Sequence, residues 1–332
     1  MVLSKQVVSI IIPVYNASQT LYECINSLHK QTYRPLELLF IDDCSTDNSQ
    51  EVIQNISGQH SLEELSIKIL HHGFNKGVAA ARNTGLDNAT GDYIYYVDAD
   101  DKIDNDTIEC LVKEAQEKDA DIVGHDWFLT FNSNERYMKQ PSVENPDDAL
   151  KRMMCGRMKW NLWLYLVKRS LYEDNKIRFV EGWNMGEDMM VMMKLLSVAN
   201  KMVMLHRPFY HYRQVNPEAL TRTSQSEAHI FQVTNNIYEL EQFLQLQEGK
   251  KYTKYIEILK LVIKWPLLIT ADKECYIQWR KWFPEANRYA FDNEVQSFRI
   301  RLLQYAAMKG QYWLIRLHYY GVIKLVYGVI YR

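Results

Sequence analysis

The 332-residue sequence is short of several things, and each shortage removes a class of function. No stretch of 18 or more uncharged apolar residues occurs, so no segment is expected to span a bilayer. The first residues run straight into a strand pattern without the basic and apolar regions of a secretory signal. A cytoplasmic protein is therefore expected, with peripheral attachment to the inner face of the membrane left open. Cysteine is scarce: Cys24, Cys44, Cys110, Cys155 and Cys275 are odd in number, widely spaced and free of any C-x-x-C pair. They read as ordinary thiols rather than a zinc site or a disulfide framework. No internal repeat and no low-complexity tract is present. Charge of one sign is not in excess, with 39 Lys and Arg against 41 Asp and Glu, so nothing points to nucleic acid as a partner. What remains is 47% hydrophobic and 24% charged, enough for a folded α/β body of one large or two medium domains.

The near-neutral total hides an asymmetry. From Glu248 to Arg332 there are 15 Lys and Arg against 7 Asp and Glu, a net of +8, and residues 1–247 carry a net of −10. An acidic body with a basic tail is the more specific statement.

The first third alternates apolar runs with amphipathic stretches. Val7–Pro13, Leu36–Asp42, Ile67–His72, Tyr93–Asp98 and Ile122–Phe131 predict strands, the first a β-branched run suited to burial on both faces. Helices are predicted between them: one capped by Ser18 and running to about Gln31, one opened by Ser45–Ser49, one over Val78–Ala89, and one from Asn105 to about Lys118. This rhythm predicts a mainly parallel sheet covered by helices, with ligands beyond the carboxyl ends of the strands. Asn132–Asp148 reads as a polar loop. A helix is expected over about Glu187–Ala199, then short strands at Met202–Leu205 and Phe209–Arg213. From about Gln225 the pattern is helical, broken by Pro266 and Pro284. The expected division is a catalytic domain over 1–220, with donor binding in 1–130 and acceptor and catalytic parts in 131–220, followed by a helical region over 221–332.

Polar clusters mark the four successive strand ends. Asp98-Ala99-Asp100-Asp101 is the sharpest: clustered carboxylates repel one another unless a cation joins them, and hard oxygens suit Mg²⁺ or Mn²⁺ bridging to phosphates. Taken alone, the same residues also read as a solvated turn with Asp104 capping the next helix. Asp42 and Asp43 lie where an acid can accept hydrogen bonds from a base or ribose, or cap a helix. Tyr15 after Pro13, with Asn16 beside it, can offer a flat face to a base. In Asn75–Gly85 the small residues suit close helix–strand packing, which leaves Lys76, Arg82 and Asn83 to be explained; Arg82 could meet acids or phosphate. Gly186-Glu187-Asp188 opens an apolar helix, where Asp188 is either a helix cap or a general base. His206, His211 and Arg213 fall within eight residues, so that a histidine could ligate a cation and Arg213 meet phosphate.

Together, Val8–Asn16, Phe40–Ser49, Asn75–Gly85 and Gly91–Asp101 resemble family 2 of the glycosyltransferases. A looser likeness continues through Trp160–Leu171, Gly186–Asp188 and Tyr210–Arg213, as in bacterial enzymes that build cell-surface polysaccharides. The resemblance implies the GT-A nucleotide-sugar fold and a nucleotide-sugar donor, usually UDP-linked. It implies a glycan or lipid-linked acceptor, a Mn²⁺ or Mg²⁺ cofactor and an inverting transfer. By position it implies Pro13, Tyr15 and Asp42 at the base, Asp98 near the ribose, Asp100 on the cation and Asp188 as base. Asn16, Asp43, Lys76, Arg82 and Arg213 complete the expected donor set, and Asp101 and His211 the expected metal set. A nucleotidyltransferase would carry a Gly-rich phosphate loop near the N-terminus, which Pro13–Asn16 is not. A non-catalytic nucleotide-sugar binder would lack a base, and Asp188 is present. The tail, Gln311–Arg332, mixes Trp, Tyr, Ile and Val with Arg316, Lys324 and Arg332. It suits an anionic membrane interface, packing on the body, or a homodimer contact.

Overall fold

In the computed structural model, residues 5–57, 64–214, 226–294 and 296–330 are described. The β-branched run becomes β1, Val8–Val14, buried at all positions but one. It pairs in parallel with β2 (Leu36–Asp42), which pairs in parallel with β3 (Leu65–His71), and on its other side with β4 (Tyr93–Tyr96). Helices α1 (Leu21–His29), α2 (Ser49–Ser57) and α3 (Val78–Asn88) make the crossovers. Beyond β4 come β5 (Lys102–Ile103), α4 (Thr107–Lys118), β6 (Ile122–Thr130), β7 (Glu135–Met138), α5 (Pro146–Met154), β8 (Tyr165–Lys168), α6 (Arg169–Asp174), α7 (Glu187–Val198) and β9 (Met202–Arg213). The sheet order is β3-β2-β1-β4-β8-β6-β9-β5, with β7 on β6. β8 runs antiparallel between β4 and β6, and β5 and β7 are antiparallel as well, so the sheet is mixed with a parallel majority.

Several expectations change in detail. Ser18 does not cap α1: its amide donates to Asp47, and Thr20 precedes the helix without a side-chain cap. The Met202–Leu205 and Phe209–Arg213 strands are one strand, with a register irregularity opposite Asp126 where Pro208 sits. Asn132–Asp148 is not all loop, since it holds β7 and the start of α5. Asp104 does not cap α4, which starts after Asp106.

The chain forms two compact units. The first comprises residues up to Ala149 and Lys159–Leu240, and the second Leu150–Met158 with the residues from Glu241 on. The boundary expected near residue 220 lies outside the described residues. The division in packing falls inside α8 (Glu227–Glu248). The second unit is helical: α9 (Thr253–Lys264), α10 (Lys273–Lys281), α11 (Phe298–Met308) and α12 (Tyr312–His318), then a π-helical stretch over Tyr319–Ile330. Pro266 and Pro284 each sit in a short 3₁₀ turn, as their missing amide favours. Among the described residues no helix is long and apolar enough to cross a membrane.

The amino ends of the strands are tied by one buried acid. Glu37 on β2 accepts from Ser9 Oγ on β1 (2.6 Å), Lys68 Nζ on β3 (2.6 Å) and the Thr90 amide before β4 (2.9 Å). Burial pushes the Glu37 carboxyl up, but the hydrogen bonds from Lys68 and Ser9 outweigh it and hold its pKa below the usual range. The depressed folded-state pKa means that Glu37 stabilises the fold above its unfolded pKa, and that this is lost as pH falls through the folded value. Glu37→Gln should therefore lower stability by about 1–3 kcal/mol at neutral pH in urea denaturation. The difference should shrink in acid, where the wild-type carboxyl is also neutral; an equal loss at both pH values would contradict a charge-assisted tie.

Candidate active site

The site grows from the packing of α3. A Cβ at Gly85 would lie 2.4 Å from Ile11 Cγ2, so glycine there lets α3 press against β1. That approach carries Arg82, one turn earlier, into the interior at the strand ends, with its side chain only 8% exposed. Its Nη1 donates to Glu187 Oε1 at 2.6 Å, and Nη2 lies 3.6 Å from Asp98 Oδ1. The rings of Phe179 and Tyr96 lie 5.6 and 5.9 Å from the guanidinium carbon. Phe179 is fixed by Asn83, whose amide group both donates to and accepts from its backbone at 2.9 Å.

One guanidinium thus serves three acids. Burial first, then repulsion from Asp188, pushes Glu187 up to about 7 against the pull of Arg82. Burial, with Asp100 and Asp188 adding, pushes Asp98 up to about 6, again against Arg82. Burial raises Asp188 as well, and Arg82 opposes it. Arg82 itself is desolvated, but the charges of Glu187, Asp98 and Asp188 hold its proton more firmly than usual.

The turn after β4 sorts its acids by exposure. Asp98 and Asp100 are partly exposed, while Asp101 is buried. Asp101 accepts from Tyr210 Oη (2.8 Å) and from the Arg213 amide (2.7 Å), and the same Tyr210 hydroxyl accepts from the Asp98 amide (3.0 Å). Tyr210 is stacked on Trp163, with centroids 4.2 Å apart. His211 is turned to other acids: Nδ1 lies 2.7 Å from Glu135 and Nε2 3.0 Å from Asp104. The Arg213 guanidinium pairs with Glu23. The expected metal set of Asp100, Asp101 and His211 is therefore not drawn together, because the last two are committed to hydrogen bonds within the fold. Among the described residues no group of three or more His, Cys, Asp or Glu side chains is arranged to hold a cation. Asp100, with Asp98 beside it, still suits a divalent cation, because Mg²⁺ and Mn²⁺ take one or two carboxylates and complete their shell with substrate phosphates.

At the end of β2, Asp42 is fully buried and accepts from the Ser45 amide (3.2 Å) and Gln50 Nε2 (2.6 Å), with His71 Nδ1 at 3.4 Å. Burial raises its pKa, but the bonds from Ser45 and Gln50 hold it below the usual range. Asp43 clamps the next loop: it accepts from the Lys76 and Gly77 amides (2.8 and 2.7 Å), and its carboxyl lies 2.6 Å from His72 Nδ1. Asn16, at φ +50°, accepts from the Thr46 amide (2.8 Å) and so joins the loops after β1 and β2. Tyr15 beside it is 51% exposed, with Pro13 behind it in β1. Lys76 is exposed and stands 5.5 Å from the Phe74 ring.

Asp188 is at the start of α7, where its Oδ1 accepts from the Met189 amide at 2.7 Å. The stretch before it positions the site in a way its sequence does not advertise. Asn184 Oδ1 accepts from the Ala79 amide at the start of α3 (3.1 Å), and any Cβ on Gly77 would lie 2.1 Å from the Asn184 side chain. Asn236 on α8 donates to the Met185 carbonyl (2.9 Å). Glu187 and Tyr210 are the other residues that motif reading passed over. The only hint of Glu187 was an acid next to Asp188 in an apolar helix. Cavities of about 370 and 340 Å³ lie elsewhere, around Ser142–Pro146 with His206 and around Tyr33 with Glu109. Converging charge, rather than either of these cavities, marks the site.

Comparisons with known proteins bear on the family and the fold. Residues 9–196 match the family described as Glycosyl transferase family 2. The chain is 32% identical over 222 residues to the uncharacterized glycosyltransferase EpsJ of Bacillus subtilis strain 168, covering 64% of this chain and 62% of that protein. The alignment thus spans under two thirds of that relative's length. Among solved structures, S. aureus TarS 1–349 in complex with UDP-GlcNAc is similar at a TM-score of 0.72 and 18% identity, covering 96% of this chain and 92% of that one. The mannosyltransferase PcManGT of Pyrobaculum calidifontis, in complex with GDP-Man and Mn²⁺, reaches a TM-score of 0.53 at 16% identity, over 96% of this chain and 88% of that one. These likenesses show a GT-A-like fold with a helical C-terminal region.

Arg82→Met tests the charge balance. Removing the buried counter-ion should destabilise the chain by about 3–5 kcal/mol above pH 8, where the acids are ionised. The loss should be smaller near pH 5, where Asp98 and Glu187, titrating at about 6 and about 7, are protonated. Denaturant melts at the two pH values read the difference, and equal losses would show that Arg82 acts through packing alone.

Proposed function

Because the chain belongs to glycosyltransferase family 2, we propose that it moves a sugar from a nucleotide-sugar donor to a hydroxyl of a glycan or lipid-linked acceptor, by inverting displacement, in the synthesis of a bacterial surface polysaccharide. The observation that supports the reading is the buried Arg82, which pairs with Asp98 after β4 and Glu187 at the start of α7, with Asp188 close enough for its charge to act on both acids. The donor proposal rests also on the nucleotide sugars bound by TarS and PcManGT. A uracil base is the proposed partner of Asp42, flanked by Pro13 and the exposed face of Tyr15. Asn16, Asp43 and Lys76 shape the loops along the diphosphate, and Asp98 meets the ribose. The Arg82 guanidinium pairs with Asp98 and Glu187, and that of Arg213 with Glu23 while its backbone amide holds Asp101, so both are assigned to ordering acids.

Asp188 is the proposed base. It takes the acceptor proton as the acceptor oxygen bonds to the anomeric carbon, while the bond from that carbon to the diphosphate oxygen breaks and the nucleoside diphosphate leaves. Burial raises the pKa of Asp188, which makes it a better proton acceptor than an exposed aspartate. Asp100, with Asp98, is the proposed holder of Mn²⁺ or Mg²⁺, which when bound supplies positive charge at the departing diphosphate. Asp101, Tyr210 and His211 are assigned to holding the turn.

Asp188→Asn should keep nucleotide affinity and lose transfer by about 10²–10⁴-fold, as expected for a general base. Near-normal turnover would remove Asp188 from the mechanism. Asp100→Ala should abolish the Mn²⁺ dependence of UDP binding in calorimetry, and unchanged binding with and without the ion would refute the cation assignment. Donor hydrolysis across a panel of UDP- and GDP-sugars decides the base. Nucleotide binding without hydrolysis or transfer in any pairing would reduce the protein to a binder.

A further inference from the structure

The basic C-terminal unit exposes two helical stripes that the transfer chemistry does not use. On α11, Phe298, Leu302 and Tyr305 follow at i, i+4 and i+7, and all are exposed, Phe298 to 63%. From α12 into the π-helical stretch, Trp313, Leu317 and Tyr320 repeat the same spacing, with Trp313 61% and Leu317 62% exposed, and Leu325 exposed beyond them. At 100° per residue such a spacing keeps side chains within one narrow stripe of an α-helix. Each stripe ends in a lysine bent over its tyrosine: Lys309 lies 5.5 Å from the Tyr305 ring and Lys324 5.7 Å from the Tyr320 ring. Phe291 extends the first stripe, its ring 5.0 Å from Tyr305 and 6.4 Å from Phe298.

Within residues 295–332, which carry both helical stripes, the charge is of one sign, while Asp292 beside Phe291 pairs with Lys254. From residue 295 to 332 the sequence holds Arg299, Arg301, Lys309, Arg316, Lys324 and Arg332, and no Asp or Glu at all. Of these, Arg299, Lys309, Arg316 and Lys324 are exposed. Exposed Trp, Tyr, Phe and Leu alternating with exposed cations match the chemistry of an anionic lipid surface, whose acyl boundary takes the apolar side chains while its headgroups take the cations. A second copy of the chain fits less well, because a two-fold contact sets a patch against itself and would bring these cations face to face.

We propose that the α11 and α12 stripes form a peripheral docking surface for anionic phospholipid. The stripes belong to the second unit and include none of the acids at the strand ends, and the inference does not depend on the transfer reading. Its test is co-sedimentation of the full chain with vesicles of phosphatidylcholine alone and of phosphatidylcholine with phosphatidylglycerol. The chain should bind the phosphatidylglycerol vesicles, release from them as salt is raised, and ignore the neutral ones. Arg316→Gln with Lys324→Gln should weaken that binding by more than about tenfold, given what each basic residue contributes at an anionic surface. Trp313→Ser with Leu317→Ser should remove it while leaving the thermal melt of the chain in place, since both side chains are exposed. Equal binding to both kinds of vesicle, or none to either, would overturn the proposal. So would loss of a dimer in light scattering on Trp313→Ser with Leu317→Ser while vesicle binding persists.

Discussion

One buried cation, Arg82, organises the acids at the strand ends of the first unit. Arg82 has Glu187 on one arm and Asp98 on the other, with Asp188 close enough to act on all of them. Burying one positive charge among three acids is stable only if the geometry is held firmly, since any lost partner leaves an uncompensated charge in the interior. The need for that firmness explains features that otherwise look unrelated. Ala79–Ala81 and Gly85 let α3 lie close on the sheet, Asn83 pins Phe179 beneath the guanidinium, and Asn184 caps the start of α3 from the segment just before α7.

The acids proposed to meet a donor are in turn held by hydrogen bonds within the fold. Tyr210, braced by Trp163, holds the turn after β4 through Asp101 and the Asp98 amide. Asp43 fixes the loop before α3 through two backbone amides. Glu37 does the same at the opposite ends of the strands. Sites built this way keep reacting groups within a narrow geometry because their supports are saturated with hydrogen bonds. They also show why a carboxylate in a motif need not be a ligand: Asp101 sits one residue from Asp100 and is already occupied.

The two units differ in how they use charge. In the first, acids gather at strand ends and are partly neutralised from within. In the second, cations stand on the surface beside exposed aromatic rings, while Lys264 is buried over Trp279 with its ammonium donating to the Trp282 and Phe283 carbonyls and to Asn287. The near-zero net charge of the whole chain is an average of these two arrangements.

Much of the architecture could be read before any coordinates. Strands buried on both faces appear as β-branched runs, parallel crossovers appear as helical periods between them, and polar residues at four strand ends mark where a ligand belongs, so β1 to β4, α3 and the family all follow from local pattern. What local pattern could not supply is pairing across long separations. β8 entered the sheet antiparallel, β5 and β7 are too short for a periodic signal, and β9 passes as two strands because Pro208 interrupts its pattern. His211 and Arg213 looked available for a metal and a phosphate until the fold gave them Glu135, Asp104 and Glu23. The pairing of Arg82 with Glu187 joins positions 105 residues apart. Hydrophobic period is a property of neighbours in the chain and is written in the sequence. The balance of a buried charge depends on which distant groups are desolvated together, and only the tertiary structure decides that.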